Sequence, residues 1–322
     1  MALALGACLG KGRDLPTEQA PGIDAEPTPV LRGAPLPDGF QSALAAVTPG
    51  PTETAGEGGP TVVPLDEQPL PMPQIEPVTM SAPDYGIQAF LWWRPEVADR
   101  DLDLAKRMGF RWVKQIFGWR DIELSKGRFD WTRSDRIVKQ AAQHGRQLLI
   151  RIDHQPEWAR FGCNLMGPPQ NLQDLADYLT AVATRYQGLI GAYQIWNEPN
   201  LAREWCDLAP DPALYAKMLN VSYAAIKAAD PRALVISAGL SPTGSQPPEA
   251  MPDDEYLTQL YEAMGGSSDG HFDILGVHAA GFAAPPEISP DEAAANADYG
   301  SERFFTFRRV EDLRAIQVSF GE

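Results

Sequence analysis

Between residues 86 and 278 the chain repeats one pattern, a short apolar run followed by a longer amphipathic stretch. The runs are GIQAFLW (86–92), RWVKQIF (111–117), QLLIRI (147–152), LIGAYQIW (189–196), ALVISA (233–238) and FDILGVH (272–278). They are mostly apolar throughout, which predicts strands covered on both faces. The stretches between them carry apolar residues at three-to-four spacing, which predicts helices. PEVADRDLDLAKRMG has Pro95 near its start and Gly109 just past its end; SDRIVKQAAQHG has Ser134 placed as N-cap and Gly145 as stop. Further helices are expected over LQDLADYLTAVATRY, PALYAKMLNVSYAAIKAA, DDEYLTQLYEAMG and FFTFRRVEDLRAI. Strand alternating with helix requires a parallel sheet, either open and doubly wound or closed as a (β/α)8 barrel. An open dinucleotide-type sheet wants a glycine-rich loop after its first strand, and FLWWRPEV stands there instead. The expected fold is therefore an α/β TIM barrel, incomplete, with about six βα units.

The partition of residue types sets the boundaries. All eight tryptophans follow residue 90, whereas residues 1–80 hold 14 of the 30 prolines and no Trp or Tyr. Residues 11–82, rich in Pro, Gly, Thr and Glu, cannot bury enough apolar surface to offset their ordering entropy and are expected to be a disordered spacer. Residues 83–322 form the expected barrel domain. Residues 1–10 resemble the end of a bacterial lipoprotein signal, with Leu5-Gly6-Ala7-Cys8 as lipobox and Cys8 as the lipidated residue, although the basic leader region is missing. An extracellular or cell-surface location in a bacterium is the corresponding expectation. Net charge is −16 without a Lys/Arg cluster, which argues against nucleic acid or anionic lipid as partner. No run is long enough to span a membrane. Four histidines and three cysteines without ligand spacing argue against a metal, and no motif asks for a cofactor.

AYQIWNEPN (192–200) brings an apolar run straight into an amide, a carboxylate and a proline. Barrel enzymes carry their chemistry at the C-terminal strand ends, so Glu198 is expected at the site, with Asn197 beside it. A structural pairing of Glu198 with Arg203 is the competing reading. Apolar neighbours such as Trp196 or Trp205 would raise the Glu198 pKa and suit it to giving a proton at neutral pH. Trp92, Trp119, Trp158 and Trp205 fall at or after strand ends, where indole faces suit sugar rings or ordinary packing; Trp119 and Trp205 are the two singled out for substrate. His154 and His278 end strands and are candidates for substrate contact or for satisfied strand-end polar groups. Arg151 is expected to pair with Asp153 or Glu198, and Lys114 to behave similarly. Cys163 and Cys206 fall in loops after neighbouring strands, and a disulfide between them is expected if the protein is exported.

WNEP at the end of the fourth apolar run resembles the acid/base motif of the glycoside hydrolase clan A barrels, the superfamily of cellulases, xylanases and β-xylosidases. FGWRDIELSKGRFDWTRSDRIVKQAAQHG, in which Trp119, Glu123, Gly127 and Trp131 recur, is similar to the clan's second-strand pattern; LLIRIDHQPEWA and ALVISAGLSP are similar to its third and fifth strand ends. The resemblance covers residues 84–322. It implies a retaining hydrolase of β-linked oligo- or polysaccharides, with Glu198 as general acid/base and Asn197 bonding the sugar 2-hydroxyl. It also implies a nucleophilic Glu at the end of a seventh strand, and only six apolar runs are present. Glu322, last in IQVSFGE, follows directly from a helical stretch without a turn and is a poor candidate for that role. Ala280 stands where the clan often has a Tyr that holds the nucleophile. The chain is thus expected to be C-terminally truncated and to hydrolyse glycosides poorly or not at all; a non-catalytic carbohydrate-binding surface protein is the alternative. Sugar specificity and oligomeric state are not readable from these residues.

Overall fold

The computed structural model describes residues 85–163 and 166–322. The expectations for residues 1–10, 11–82 and Cys8 lie outside the described residues. Five parallel strands form one sheet in the order β1-β2-β5-β6-β7: β1 (Gly86–Gln88), β2 (Trp112–Gly118), β5 (Gln147–Asp153), β6 (Ile190–Ile195) and β7 (Leu234–Ser237). A small antiparallel pair, β3 (Glu123–Ser125) and β4 (Arg128–Phe129), follows β2. Helices alternate with the barrel strands: α1 (Pro95–Arg107), α2 (Trp119–Ile122), α3 (Thr132–Gln143), α4 (Leu172–Arg185), α5 (Pro212–Ala229), α6 (Asp253–Ala263), α7 (Pro290–Ala294) and α8 (Arg309–Ser319).

Local chemistry explains most boundaries. Pro95 and Pro212 open α1 and α5, where their missing N–H costs nothing. Asn171 and Asp211 cap α4 and α5 by accepting from Gln173 and Leu214 amides. The expectation that Ser134 caps its helix is corrected: α3 begins at Thr132 with Trp131 at the cap. The Ser134 hydroxyl, inside the first turn, donates to the Trp131 carbonyl and accepts from Tyr186. The helix expected from Phe304 starts only at Arg309 and absorbs Gln317–Ser319, so IQVSFGE contains no strand.

Of the six expected strands, the one over 272–278 is reduced to single bridges, Ile236 with Ile274 and Leu240 with Val277. Gly276 lies between the two bridges. Its amide donates to the Ser237 hydroxyl instead of to a ladder carbonyl, and a Cβ there would sit 2.2 Å from the Ser237 carbonyl oxygen. Among the described residues the sheet runs from β1 to β7, with these bridges beyond it, and β1 pairs only with β2.

Burial alternates along the strands and distinguishes the two faces. Val113, Phe117, Leu148, Ile150, Ile152, Tyr193, Ile195 and Val235 are buried beneath the helices. Their neighbours Lys114, Ile116, Leu149, Arg151, Leu234 and Ile236 point to the other face and are only half-buried. That face is the inside of a barrel wall, lined near the rim by polar groups. At the C-terminal rim, the buried Tyr215 hydroxyl of α5 donates to the Ile195 carbonyl at 2.6 Å and accepts from the Ala238 amide at 2.7 Å. This ties the ends of β6 and β7 together beside the motif residues.

Candidate active site

Three non-glycine residues at strand ends hold left-handed backbone: His154 (φ 54°), Trp196 (φ 72°) and Glu198 (φ 41°). Such conformations cost of order 1–3 kcal/mol each and persist where the surroundings over-determine them. Here the surroundings are specific. The Trp196 amide continues the ladder to the Ile152 carbonyl at 2.8 Å, and its indole N–H donates to the Glu204 carbonyl at 2.9 Å. The Glu198 amide donates to the Gly239 carbonyl, and the Glu198 carbonyl accepts from Leu201. Asn200, wholly buried, donates to the Ser241 and Met251 carbonyls and accepts from the Ser241 amide, which fixes the turn after Pro199.

The Glu198 side chain is 17% exposed and meets His278 and Arg203. His278 Nδ1 lies 3.0 Å from Oε1, and Arg203 Nη2 donates to Oε2 at 3.3 Å. Burial pushes the Glu198 carboxyl up, but the bond and charge of His278, followed by Arg203, outweigh it and leave Glu198 below the ordinary carboxylate range. The expectation that apolar neighbours raise this pKa is thereby corrected: Trp196 and Trp205 are buried nearby, yet the contacts with His278 and Arg203 decide the sign.

A second set of contacts reaches Asn197. Arg151 Nη1 donates to Asn197 Oδ1 at 2.9 Å, while Arg151 Nε pairs with Asp153 Oδ2 at 2.7 Å. Asp153 in turn bonds His154 Nδ1. The pairing expected of Arg151 with Asp153 is the arrangement found. Lys114, half-buried on the same sheet face, is held down to about 8, first by burial and then by Arg151, with Asp153 and Glu198 opposing. His278 thus touches Glu198 directly, and His154 sits one ion pair away from Asn197.

Trp119 and Trp205 do not serve as sugar platforms here, which corrects their assignment. Trp119 is fully buried: it stacks on Tyr178 and donates its N–H to Glu123 Oε2 at 2.7 Å. Glu123 Oε1 accepts from the Gly127 amide at 2.6 Å, so the recurring Trp119, Glu123 and Gly127 form a structural knot under the rim. Trp205, 1% exposed, is wedged edge-on between Trp196 and Tyr215. Trp158 remains partly exposed, and Trp93, not singled out from the sequence, is 71% exposed after β1 with Arg133 over its ring. Grooves lined by Trp131, Asp177 and Arg185, and by Val310, Arg314 and Val318, belong to the helical exterior.

Cys163 and Cys206 form a disulfide with Cα atoms 5.7 Å apart. The Cys206 amide also donates to the Met166 carbonyl, binding the loop after β6 to the loop after β5. Glu322 is engaged elsewhere: its carboxylate accepts from Tyr261, Ser267 and the Ser268 amide, in the turn that precedes the 272–278 segment. That is the end of the segment opposite the one carrying His278. Among the described residues no cluster of metal-ligating side chains occurs, and no helix is long and apolar enough to cross a membrane.

Two functional neighbours were not singled out from the sequence. Glu204 is a buried carboxyl close to Glu198, signalled only by an acidic residue amid Leu201, Ala202 and Trp205. Gly239 is the other. A Cβ there would lie 2.2 Å from His278 Cδ2, so the imidazole reaches Glu198 only across a bare backbone.

Residues 112–236 match the sequence model of glycosyl hydrolase family 10, a span that contains β2, β5, β6, Asn197 and Glu198. No curated protein matches the chain in sequence. Among solved structures, the chain is similar to a family 39 glycoside hydrolase of Bacteroides cellulosilyticus WH2 at 19% identity and TM-score 0.48, covering 65% of this chain and 39% of that one. It is similar to a psychrophilic family 10 endo-β-1,4-xylanase at 15% identity and TM-score 0.49, covering 74% and 70%. Xylanase 10B of Thermotoga petrophila RKU-1, solved with xylobiose, aligns at 14% identity and TM-score 0.46, covering 71% and 66%. The chain thus spans well under half of the family 39 hydrolase and about two thirds of the two xylanases.

Proposed function

We propose that the chain derives from a retaining enzyme that cleaves β-linked oligo- or polysaccharides, with Glu198 as the general acid/base. The observation that carries this reading is the carboxyl of Glu198, projecting past the end of β6 beside Asn197 and contacted by His278, inside the span that matches family 10. Asn197, held through Oδ1 by Arg151, stands beside Glu198 as the contact to the sugar 2-hydroxyl. His278 orients the Glu198 carboxyl. Retention needs a second carboxylate about 5–5.5 Å from Glu198. Its negative charge would raise Glu198 from the depressed value that His278 and Arg203 impose, readying it to donate a proton. Without that partner, turnover is weak or absent. The Cys163–Cys206 disulfide supports an exported, oxidising location, with Cys8 as the proposed lipid anchor.

A second reading, a carbohydrate-binding surface protein, is favoured by one observation. Glu198 below the ordinary carboxylate range is an anion at neutral pH, suited to accepting hydrogen bonds from sugar hydroxyls. Hydrolysis of aryl β-xylosides and β-glucosides, measured alongside xylo-oligosaccharide binding by calorimetry, separates the two. The enzyme reading expects turnover that falls at least ~100-fold in Glu198→Gln. Unchanged turnover in that variant removes Glu198 from the mechanism. Binding with no turnover, for a chain extended by further βα units as well, establishes the binder.

A further inference from the structure

Glu204 is used by nothing in the mechanism above, yet its geometry is unusual. It ends a single 3-10 turn, Ala202–Glu204, and its side chain is 11% exposed. Carboxyl oxygen Oε2 is buried without a hydrogen-bond partner. Oε1 lies 3.9 Å from Arg203 Nε, on the same guanidinium that donates to Glu198 Oε2 at 3.3 Å. The Asn197 side chain, whose Oδ1 is already taken by Arg151, turns its amide hydrogens toward this carboxyl. The turn cannot easily swing away, since the Glu204 amide donates to the Leu201 carbonyl and the Glu204 carbonyl accepts from the Trp196 indole. A buried carboxyl with an unsatisfied oxygen is costly as an anion and far less so as a neutral acid.

We propose that Glu204 is a positioning residue of the active site: as a neutral acid it orients Asn197 and leaves Arg203 to Glu198, and on ionising it draws Arg203 toward itself and loosens its hold on Glu198. This rests on the reading of Glu198 as acid/base. The charged groups facing Glu204 are Glu198 from the loop after β6, Arg203 on its own turn and Asp153 from the end of β5, itself paired with Arg151 and His154. Burial and then the charge of Glu198 push Glu204 up to about 7, with Asn197 and Arg203 pulling against them and Asp153 adding to the rise. At pH 6 a protonated Glu204 thus accompanies an ionised Glu198. At pH 8 two carboxylates compete for one guanidinium.

The test is a titration that needs no turnover. In the 322-residue chain labelled with 13C at glutamate carboxyls and 15N at asparagine, Glu198→Gln and Glu204→Gln each identify a signal by its loss. Glu204 should titrate near neutrality, and its midpoint should fall by roughly one pH unit in Glu198→Gln, because a like charge has gone. The Asn197 amide signals should move with the Glu204 titration and stay still across that range in Glu204→Gln. A Glu204 midpoint in the ordinary carboxylate range, or one unchanged by Glu198→Gln, overturns the proposal. The wild-type chain and Glu198→Gln carry the test even if Glu204→Gln folds poorly. A failed titration alongside Glu198-dependent hydrolysis sinks only the role of Glu204; hydrolysis indifferent to Glu198→Gln sinks the underlying reading.

Discussion

Gly239 governs Glu198 from both sides, through its carbonyl on the Glu198 amide and its bare Cα against His278. In Gly239→Ala the new methyl must displace the imidazole. His278 is the chief group lowering Glu198, so moving it away raises the Glu198 midpoint toward the ordinary value. The sign for stability follows. A carboxyl depressed in the folded state contributes stability that is fully present above its unfolded pKa and is lost as pH falls through the folded one. The variant should therefore lose part of that contribution at neutral pH, on top of about 1–3 kcal/mol of crowding, and its stability should fall less steeply on acidification. Carboxyl NMR of Glu198 and urea unfolding between pH 3 and 7 read the two effects; an unmoved Glu198 midpoint would refute the role given to His278.

At the scale of elements, the turn from β2 through β4 hangs on Glu123. Replacing it with Ala strands the Trp119 indole N–H in a buried setting, while the exposed Gly127 amide turns to solvent, at a cost of about 1–3 kcal/mol. Urea unfolding with near-UV circular dichroism should show that loss together with a changed Trp119 environment, and a loss under ~1 kcal/mol would refute the knot. The same turn illustrates what could be read in advance. Strands β2, β5 and β6 were legible because unbroken apolar runs have few other homes, and Pro95 and Pro212 marked helix starts by their chemistry alone. Ser134 misled because its hydroxyl had a competing partner, Tyr186, far along the chain. Over 272–278 the Gly276 amide goes to the Ser237 hydroxyl, a pairing that an apolar run does not announce. Glu198 and Asn197 were legible as strand-end polar groups. The depressed pKa of Glu198 was not, because His278, its chief cause, is remote in sequence. Trp119 and Trp205 were assigned outward because an indole at a strand end reads alike whether it faces sugar or the packed interior.

Across the whole molecule the two faces of the sheet should respond differently to the same change. Ile150 is fully buried beneath the helices and its neighbour Leu149 is half-buried on the inner face. Ile150→Ala should cost about 2–5 kcal/mol and Leu149→Ala distinctly less, as measured by denaturant midpoints; equal losses would mean that the inner face is as tightly packed as the outer. The disulfide carries a different consequence. Cys206 directly follows the segment bearing Arg203, Glu204 and Trp205, and Gly167 presses its backbone against the Cys206 side chain. In a reducing medium that staple opens, and the peptide supplying Arg203 and Glu204 is left with fewer restraints than the strands beneath it. The protonation of Glu198 would then follow the thiol chemistry of its surroundings, so that the same chain in a reducing and in an oxidising medium would differ at that carboxyl.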